Sequence, residues 1–172
     1  MHILRALSTE KLSKKTRTTL VNTVSFLLVL LFVYAAASKL LDMEKFYVQT
    51  RQSALLSSYA QLVIYVIPLT ELVIVVLLSM ASTQRIGLFF SSVLLNLFSG
   101  YIYVLLSFSP NVPCSCGGIL ENMSWQQHLY FNLVFAGLAL VALWLYPARQ
   151  QTDAIRYSNA HGIRANRKPE TE

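Results

Sequence analysis

The chain has 172 residues, of which 55% are hydrophobic and 13% are charged, and its formal net charge is +6. In a water-soluble domain about a quarter of the residues are charged. This composition therefore indicates a membrane protein whose surface mainly contacts lipid. The positive charge does not indicate a nucleic-acid partner, because the basic residues flank apolar segments and do not share one face with aromatic residues.

The first apolar stretch covers residues 20–38 and follows a polar, basic segment at residues 1–18. A helix of this length measures about 28 Å, which is enough to cross the hydrocarbon core of a bilayer. Residues 35–38 resemble a signal-peptidase site, but the apolar run is longer than that of a typical signal peptide. We therefore predict an uncleaved first transmembrane helix.

The connection that follows, residues 42–55, is predicted to contain a short amphipathic helix at the membrane interface. Asp42 is a suitable N-cap residue. Four residues then recur at the spacing of one helix face. These are Met43, Phe46, Tyr47 and Thr50. An ordinary polar loop is the alternative.

Two further apolar stretches cover residues 56–80 and 86–107. The first contains Pro68, which removes a backbone donor and usually kinks a helix. The connection at residues 81–85 is short, so we expect the two helices to be antiparallel neighbours.

A fourth helix is predicted to begin after Ser124. Ser124 and Gln127 have the spacing of a capping box. An uncharged run at residues 129–146 follows, and Pro147 ends it. Aromatic residues near its two ends fit the belts found at membrane interfaces. They are Trp125, Trp144 and Tyr146.

These elements predict an all-α protein, an integral membrane four-helix bundle at residues 19–147. Residues 1–18 would form a basic cytoplasmic tail and residues 148–172 a disordered one. Four spans put both termini on one side, and that side carries eleven Lys and Arg residues against three on the other. The asymmetry predicts that both termini lie in the cytoplasm.

Cys114 and Cys116 are the only cysteines of the chain, and they lie in the connection between the third and fourth helices. The predicted topology places them outside, where thiols can be oxidised. A disulfide between residues this close closes a strained ring, and strain makes a disulfide a better oxidant. Gly117 and Gly118 allow the backbone conformations that such a ring needs. The sequence thus favours a redox pair.

Two alternatives to a redox pair remain open. In the first, the thiols are inert or form a static disulfide, although so small a loop adds little stability. Cys114 and Cys116 can also bind Cu(I), with His128 as a third ligand. His128 is otherwise an ordinary polar residue at the interface. No Cys-x-x-Cys-His motif for covalent haem is present.

Glu71 is the other candidate site residue, because it lies deep in the second apolar stretch, where an acid is costly. Asn96 lies at a similar depth in the third stretch, and we expect the two to form a hydrogen-bonded clasp. Lys39 is expected to be too far away. A proton-carrying role for Glu71 is the alternative.

Three segments resemble the MauE/DoxX family of membrane proteins. They are Ala-Ala-Ala-Ser-Lys-Leu-Leu-Asp at residues 35–42 with Phe46 after it, Pro-Leu-Thr-Glu-Leu at residues 68–72, and Pro-Cys-Ser-Cys-Gly-Gly at residues 113–118. The last resembles the redox-associated MauE branch. The resemblance implies a four-helix inner-membrane protein. MauE is linked to methylamine utilisation, where it is thought to help the disulfide-rich small subunit of methylamine dehydrogenase mature.

The sequence as a whole favours thiol–disulfide exchange with exported proteins, performed by a thiol–disulfide oxidoreductase or by its membrane partner. The expected partners are membrane lipid and an exported cysteine-containing or thioredoxin-fold protein. No cofactor motif is evident. With a single cysteine pair, electrons would pass to a quinone or to a second protein. The alternative is a non-enzymatic scaffold or a Cu(I)-handling protein.

Overall fold

The computed structural model describes residues 14–53, 56–108 and 124–146, and these ranges are helical throughout apart from short turns. The helices are α1 Lys14–Leu41, α2 Met43–Gln52, α3 Ala60–Ser79, α4 Gln84–Phe108 and α5 Trp125–Leu145, with a 3₁₀ turn at Ser57–Tyr59 before α3. The predictions for Cys114, Cys116, Pro147 and the two tails lie largely or wholly outside the described residues.

Four of the helices, α1, α3, α4 and α5, are long and apolar enough to cross a membrane. The predicted all-α, four-span architecture is therefore confirmed. The first helix starts earlier than the apolar run, at Lys14, so Lys15 and Arg17 are already helical. No Gly or Pro interrupts this segment, and the basic residues are good helix formers, so the helix continues past the apolar region.

The four spanning helices form a ring in the order α1, α3, α4, α5. The most extensive contacts join α4 to α5 and α1 to α3, whereas α1 and α4, which lie diagonally opposite, make few contacts. α5 turns three alanines inward, which lets its neighbours approach closely. They are Ala136, Ala139 and Ala142, and the larger core residues around them are Leu28, Phe32, Ile74, Leu88 and Leu95.

The turn between α3 and α4 brings these helices into contact, as predicted. The Thr83 hydroxyl donates to the Leu77 carbonyl at 3.0 Å. A Cβ atom on Gly87 would lie 2.8 Å from the Leu78 nitrogen, which is closer than real Cβ contacts. Glycine is therefore required for the two backbones to approach here. We call this the turn end of the bundle.

Polar contacts also close the turn end. Gln84 Nε2 donates to Ser25 Oγ at 3.1 Å and to Asn22 Oδ1 at 3.3 Å, which links α4 to α1 across the diagonal. The Tyr146 hydroxyl donates to the Ala81 carbonyl at 3.4 Å. Burial raises the pKa of Tyr146, so the hydroxyl keeps the proton that it donates.

The opposite end, which we call the α2 end, carries the short helix predicted after the first span. The Asp42 carboxylate accepts from the Lys45 backbone nitrogen at 3.1 Å, so the predicted N-cap is confirmed. Thr50 is buried, and its hydroxyl donates to the Phe46 carbonyl at 2.7 Å. The helix is therefore the correct alternative, and its predicted face packs toward the spanning helices.

The predicted capping box at the start of α5 is present. The Gln127 nitrogen donates to Ser124 Oγ at 3.3 Å, and the Ser124 nitrogen donates to Gln127 Oε1 at 2.9 Å. These reciprocal bonds satisfy two backbone donors that the helix itself cannot pair. They fix the first residue of α5, and thereby where the connection from α4 rejoins the bundle.

Candidate functional site

An ion pair joins α1 to α3. Lys39 Nζ lies 2.8 Å from Glu71 Oε1 and also donates to the Ala35 carbonyl at 3.0 Å. Glu71 is fully buried, whereas 21% of the Lys39 side chain is exposed. The expectation that Lys39 lies too far from Glu71 is wrong, because α1 and α3 pack directly and the lysine side chain is long and flexible.

The predicted clasp between Asn96 and Glu71 is also wrong. Asn96 is exposed, and its Nδ2 atom donates to the Ser92 carbonyl of the same helix at 2.8 Å. The inward face of α4 instead carries Ser92 and Leu95. Asn96 has the expected depth but the wrong rotation about the helix axis, so it points away from α3.

A cavity of about 340 Å³ adjoins the ion pair, and all five helices contribute to its wall. Most of the lining is apolar, with many aromatic rings. They are those of Phe32, Phe46, Phe98, Tyr101, Trp125 and Phe131. A smaller group of polar side chains also reaches the cavity. It comprises Ser38, Lys39, Asp42, Lys45, Gln49, Thr50, Glu71, His128 and Asn132.

Two of these polar groups have an atom without a hydrogen-bond partner among the described residues. They are Oε2 of Glu71 and Nδ2 of Asn132, and both residues are buried. A buried polar atom left unpaired costs about 1–3 kcal/mol. Such atoms are rare in folded proteins, and both belong to residues that line the cavity, so we expect a polar partner beside it.

Asn132 and Lys39 were not recognised from the sequence as site residues. Asn132 follows His128 by four positions, and this spacing places both on one face of α5. A polar pair at that spacing in an uncharged span was the available signal. For Lys39, the signal was its position in the last turn of α1, directly after the uncharged run at residues 18–38.

His128 lies half-buried in the wall of the cavity. Its ring stacks against Trp125 at a centroid distance of 6.5 Å. The suggested copper site would add Cys114 and Cys116, which lie outside the described residues. Within the described ranges, no three His, Cys, Asp or Glu side chains gather as a metal site.

The cavity lies at the α2 end, where α4 ends and α5 begins. Tyr101 and Ile102 line it from the last turns of α4, and Trp125 and His128 line it from the first turn of α5. The connection that carries both cysteines therefore leaves and rejoins the bundle at this end.

Residues 17–145 match the family described as methylamine utilisation protein MauE. The chain belongs to the MauE family. The match spans α1 to α5, and the resemblance drawn from residues 35–42, 68–72 and 113–118 is thereby confirmed. This MauE-family chain is a membrane protein with transmembrane helices. No curated protein and no solved structure gives a significant match to it.

Proposed function

We propose that this MauE-family membrane protein supports thiol–disulfide exchange in exported proteins through Cys114 and Cys116. The observation that carries the proposal is the position of the pair, one residue apart in the connection between α4 and α5. These two helices line the cavity at the α2 end. Family membership supports the membrane setting, and the spacing supports the chemistry.

The proposed reaction balances as a two-electron exchange. A substrate thiolate attacks Cys114 of the disulfide, the bond between the two sulfurs breaks, and Cys116 leaves as a thiolate and takes up a proton. A second substrate thiolate then attacks the mixed disulfide and releases Cys114. The substrate gains a disulfide and the pair becomes a dithiol. A quinone or a second protein must then accept the two electrons.

The proposed setting is the bacterial inner membrane, with both termini cytoplasmic and the cysteine pair facing outward. The excess of Lys and Arg in the tails and in the turn between α3 and α4 supports this orientation. The outward side is where disulfides form and persist. The family description supports a setting in methylamine utilisation. The proposed outward position of the thiols supports an exported partner that contains cysteines or has a thioredoxin fold.

Cysteine variants test the proposal. In Cys116→Ser, the Cys114 thiolate can still attack a disulfide of the oxidised partner, in the reverse of the reaction above. The mixed disulfide should then accumulate, because Cys116 is no longer present to attack Cys114 and release the partner. Membranes are quenched with acid, alkylated and run on non-reducing gels. We expect a heavier adduct that dithiothreitol removes, in Cys116→Ser or, if the roles of the two sulfurs are reversed, in Cys114→Ser. The double variant is the control and should give none. An adduct in neither single variant would contradict the proposal.

Cu(I) handling is the second candidate, since His128 lies at the α2 end from which the cysteine connection departs. Two thiolates and an imidazole suit a soft metal ion. Under this candidate, Cu(I) binding by the purified chain should fall in His128→Ala as well as in the double cysteine variant. Under thiol exchange, His128→Ala combined with the trapping cysteine variant should still form the mixed disulfide.

A further inference from the structure

We propose that the cavity beside the Lys39–Glu71 pair binds a neutral, membrane-soluble molecule that carries a hydroxyl-bearing ring. This binding site goes beyond thiol exchange, and its evidence lies wholly within the described residues.

The hydrogen-bonding capacity of the wall defines the polar part of the ligand. Glu71 Oε1 already accepts from Lys39, and Glu71 Oε2 has no partner among the described residues. A carboxylate oxygen paired with a cation accepts hydrogen bonds, so the ligand must donate there. Asn132 Nδ2 can only donate, so the ligand must also accept. A hydroxyl group, alone or beside a carbonyl, does both.

The charge of the wall indicates a neutral ligand. Among the described residues of the lining, Lys39 and Lys45 are the cations and Asp42 and Glu71 are the anions, so these charges balance. An anionic or cationic ligand would leave one charge uncompensated in an apolar surrounding, which is costly. A neutral molecule leaves the ion pair intact.

The shape and composition of the wall indicate a ring with an apolar body. The volume of about 340 Å³ falls in the usual range for small-molecule sites. Phe32, Phe98 and Phe131 contribute aromatic rings to the lining, and aromatic rings pack well against a flat ring. Leu97 lines the cavity although 65% of it is exposed, so the wall reaches the outer surface of the bundle. In a membrane that surface contacts lipid, which gives a membrane-soluble ligand a route of entry.

Tryptophan fluorescence provides a direct test, because the chain has two tryptophans and only Trp125 lines the cavity. Trp144→Phe leaves Trp125 as the single reporter, and Trp125→Phe leaves Trp144 as the matched control. Both full-length chains also carry Cys114→Ser and Cys116→Ser, which prevents addition of the ring to a thiol. The protein is placed in lipid nanodiscs and titrated without oxygen with a short-tailed ubiquinol.

We expect a saturable change in Trp125 emission and no saturable change in the Trp144 control. The dimethyl ether of the same quinol keeps the ring and tail but lacks the donor, so it should bind about three- to tenfold more weakly. Asn132→Leu should weaken the quinol by a similar factor. This variant should remain folded, because it removes an unpaired buried donor and nearly conserves volume.

Three results would overturn the proposal. One is the absence of saturable change at Trp125, and another is equal affinity for the quinol and its ether. The third is equal affinity for 1-monolaurin, which places hydroxyl groups beside a carbonyl on a chain without a ring. A role of the ring as electron acceptor for the cysteine pair rests on the proposed function. The titration does not, so either can fail alone.

Discussion

Lys39 Nζ lies 2.8 Å from Glu71 Oε1 and joins two residues 32 positions apart in the chain. Lys39 belongs to the segment at residues 35–42, and Glu71 belongs to the segment at residues 68–72, both of which resemble the MauE/DoxX family. The two segments therefore meet in space as one ion pair between α1 and α3. Because Glu71 is fully buried, its carboxylate depends on this partner.

The ion pair predicts unequal effects of its two single substitutions. Lys39→Met leaves a buried carboxylate without a cation and should lower the free energy of unfolding by about 3–5 kcal/mol. Glu71→Gln should cost less, because the glutamine oxygen can still accept from Lys39. Unfolding in detergent micelles, followed by circular dichroism, measures both. Lys15→Met, at an exposed position of α1, is the control and should change little.

The double variant Lys39→Met with Glu71→Gln should be more stable than Lys39→Met alone, because it removes the unpaired charge. Equal stability of the double variant and Lys39→Met would mean that the loss in Lys39→Met does not come from the unpaired charge of Glu71. Glu71→Gln also separates a structural role from proton transfer. Loss of thiol exchange at normal membrane abundance and stability would contradict the structural role and favour a proton carrier.

Gly87→Ala should destabilise the contact between α3 and α4. Its new Cβ would lie 2.8 Å from the Leu78 nitrogen, which belongs to the backbone and cannot rotate aside. Overpacking of this kind typically costs about 1–3 kcal/mol. Gly100→Ala is the matched control on the same helix, since nothing lies within 4 Å of its Cβ position. Equal thermal unfolding midpoints for the two variants would show that the helices do not approach as described.

Ser124→Ala should loosen the first turn of α5, where the cysteine connection rejoins the bundle. Loss of an N-cap hydroxyl costs about 0.5–2 kcal/mol. Hydrogen exchange at residues 125–128 should therefore accelerate, while the turn end should be unaffected. Gln126→Ala alters an exposed neighbour outside the capping box and serves as the control. Similar acceleration in both variants would mean that the cap is not what fixes this end.

Membrane orientation is tested by reporter fusions at the C-terminus. The distribution of Lys and Arg predicts a cytoplasmic C-terminus. A fusion to green fluorescent protein should therefore be fluorescent, and a fusion to alkaline phosphatase should be inactive. An active phosphatase fusion together with a non-fluorescent second fusion would show the opposite topology, with the cysteines in the cytoplasm.

The four spans and α2 could be predicted from the sequence because their signals are local. The length of each apolar run predicts a membrane-spanning helix. The helix α2 is predicted by the N-cap residue Asp42 and by the helical repeat to which Thr50 belongs. The capping box of Ser124 is equally local.

Helix rotation could not be predicted, because lipid and core both select apolar side chains. Leu95 is 2% exposed and Leu97 is 65% exposed, yet the two residues are identical. Nothing in such a pattern shows which side of α4 faces inward, and so Asn96 was paired with Glu71. The Lys39 contact was missed for a related reason, since depth along each helix does not measure distance between helices.

The redox state of Cys114 and Cys116 in native membranes tests the central claim most directly. Membranes are treated with an oxidant or a reductant, quenched with acid, and alkylated with a maleimide large enough to shift the protein on a gel. The account predicts two interconverting forms, a dithiol that takes two labels and a disulfide that takes none. A pair that stays in one form under every oxidant and reductant would contradict it.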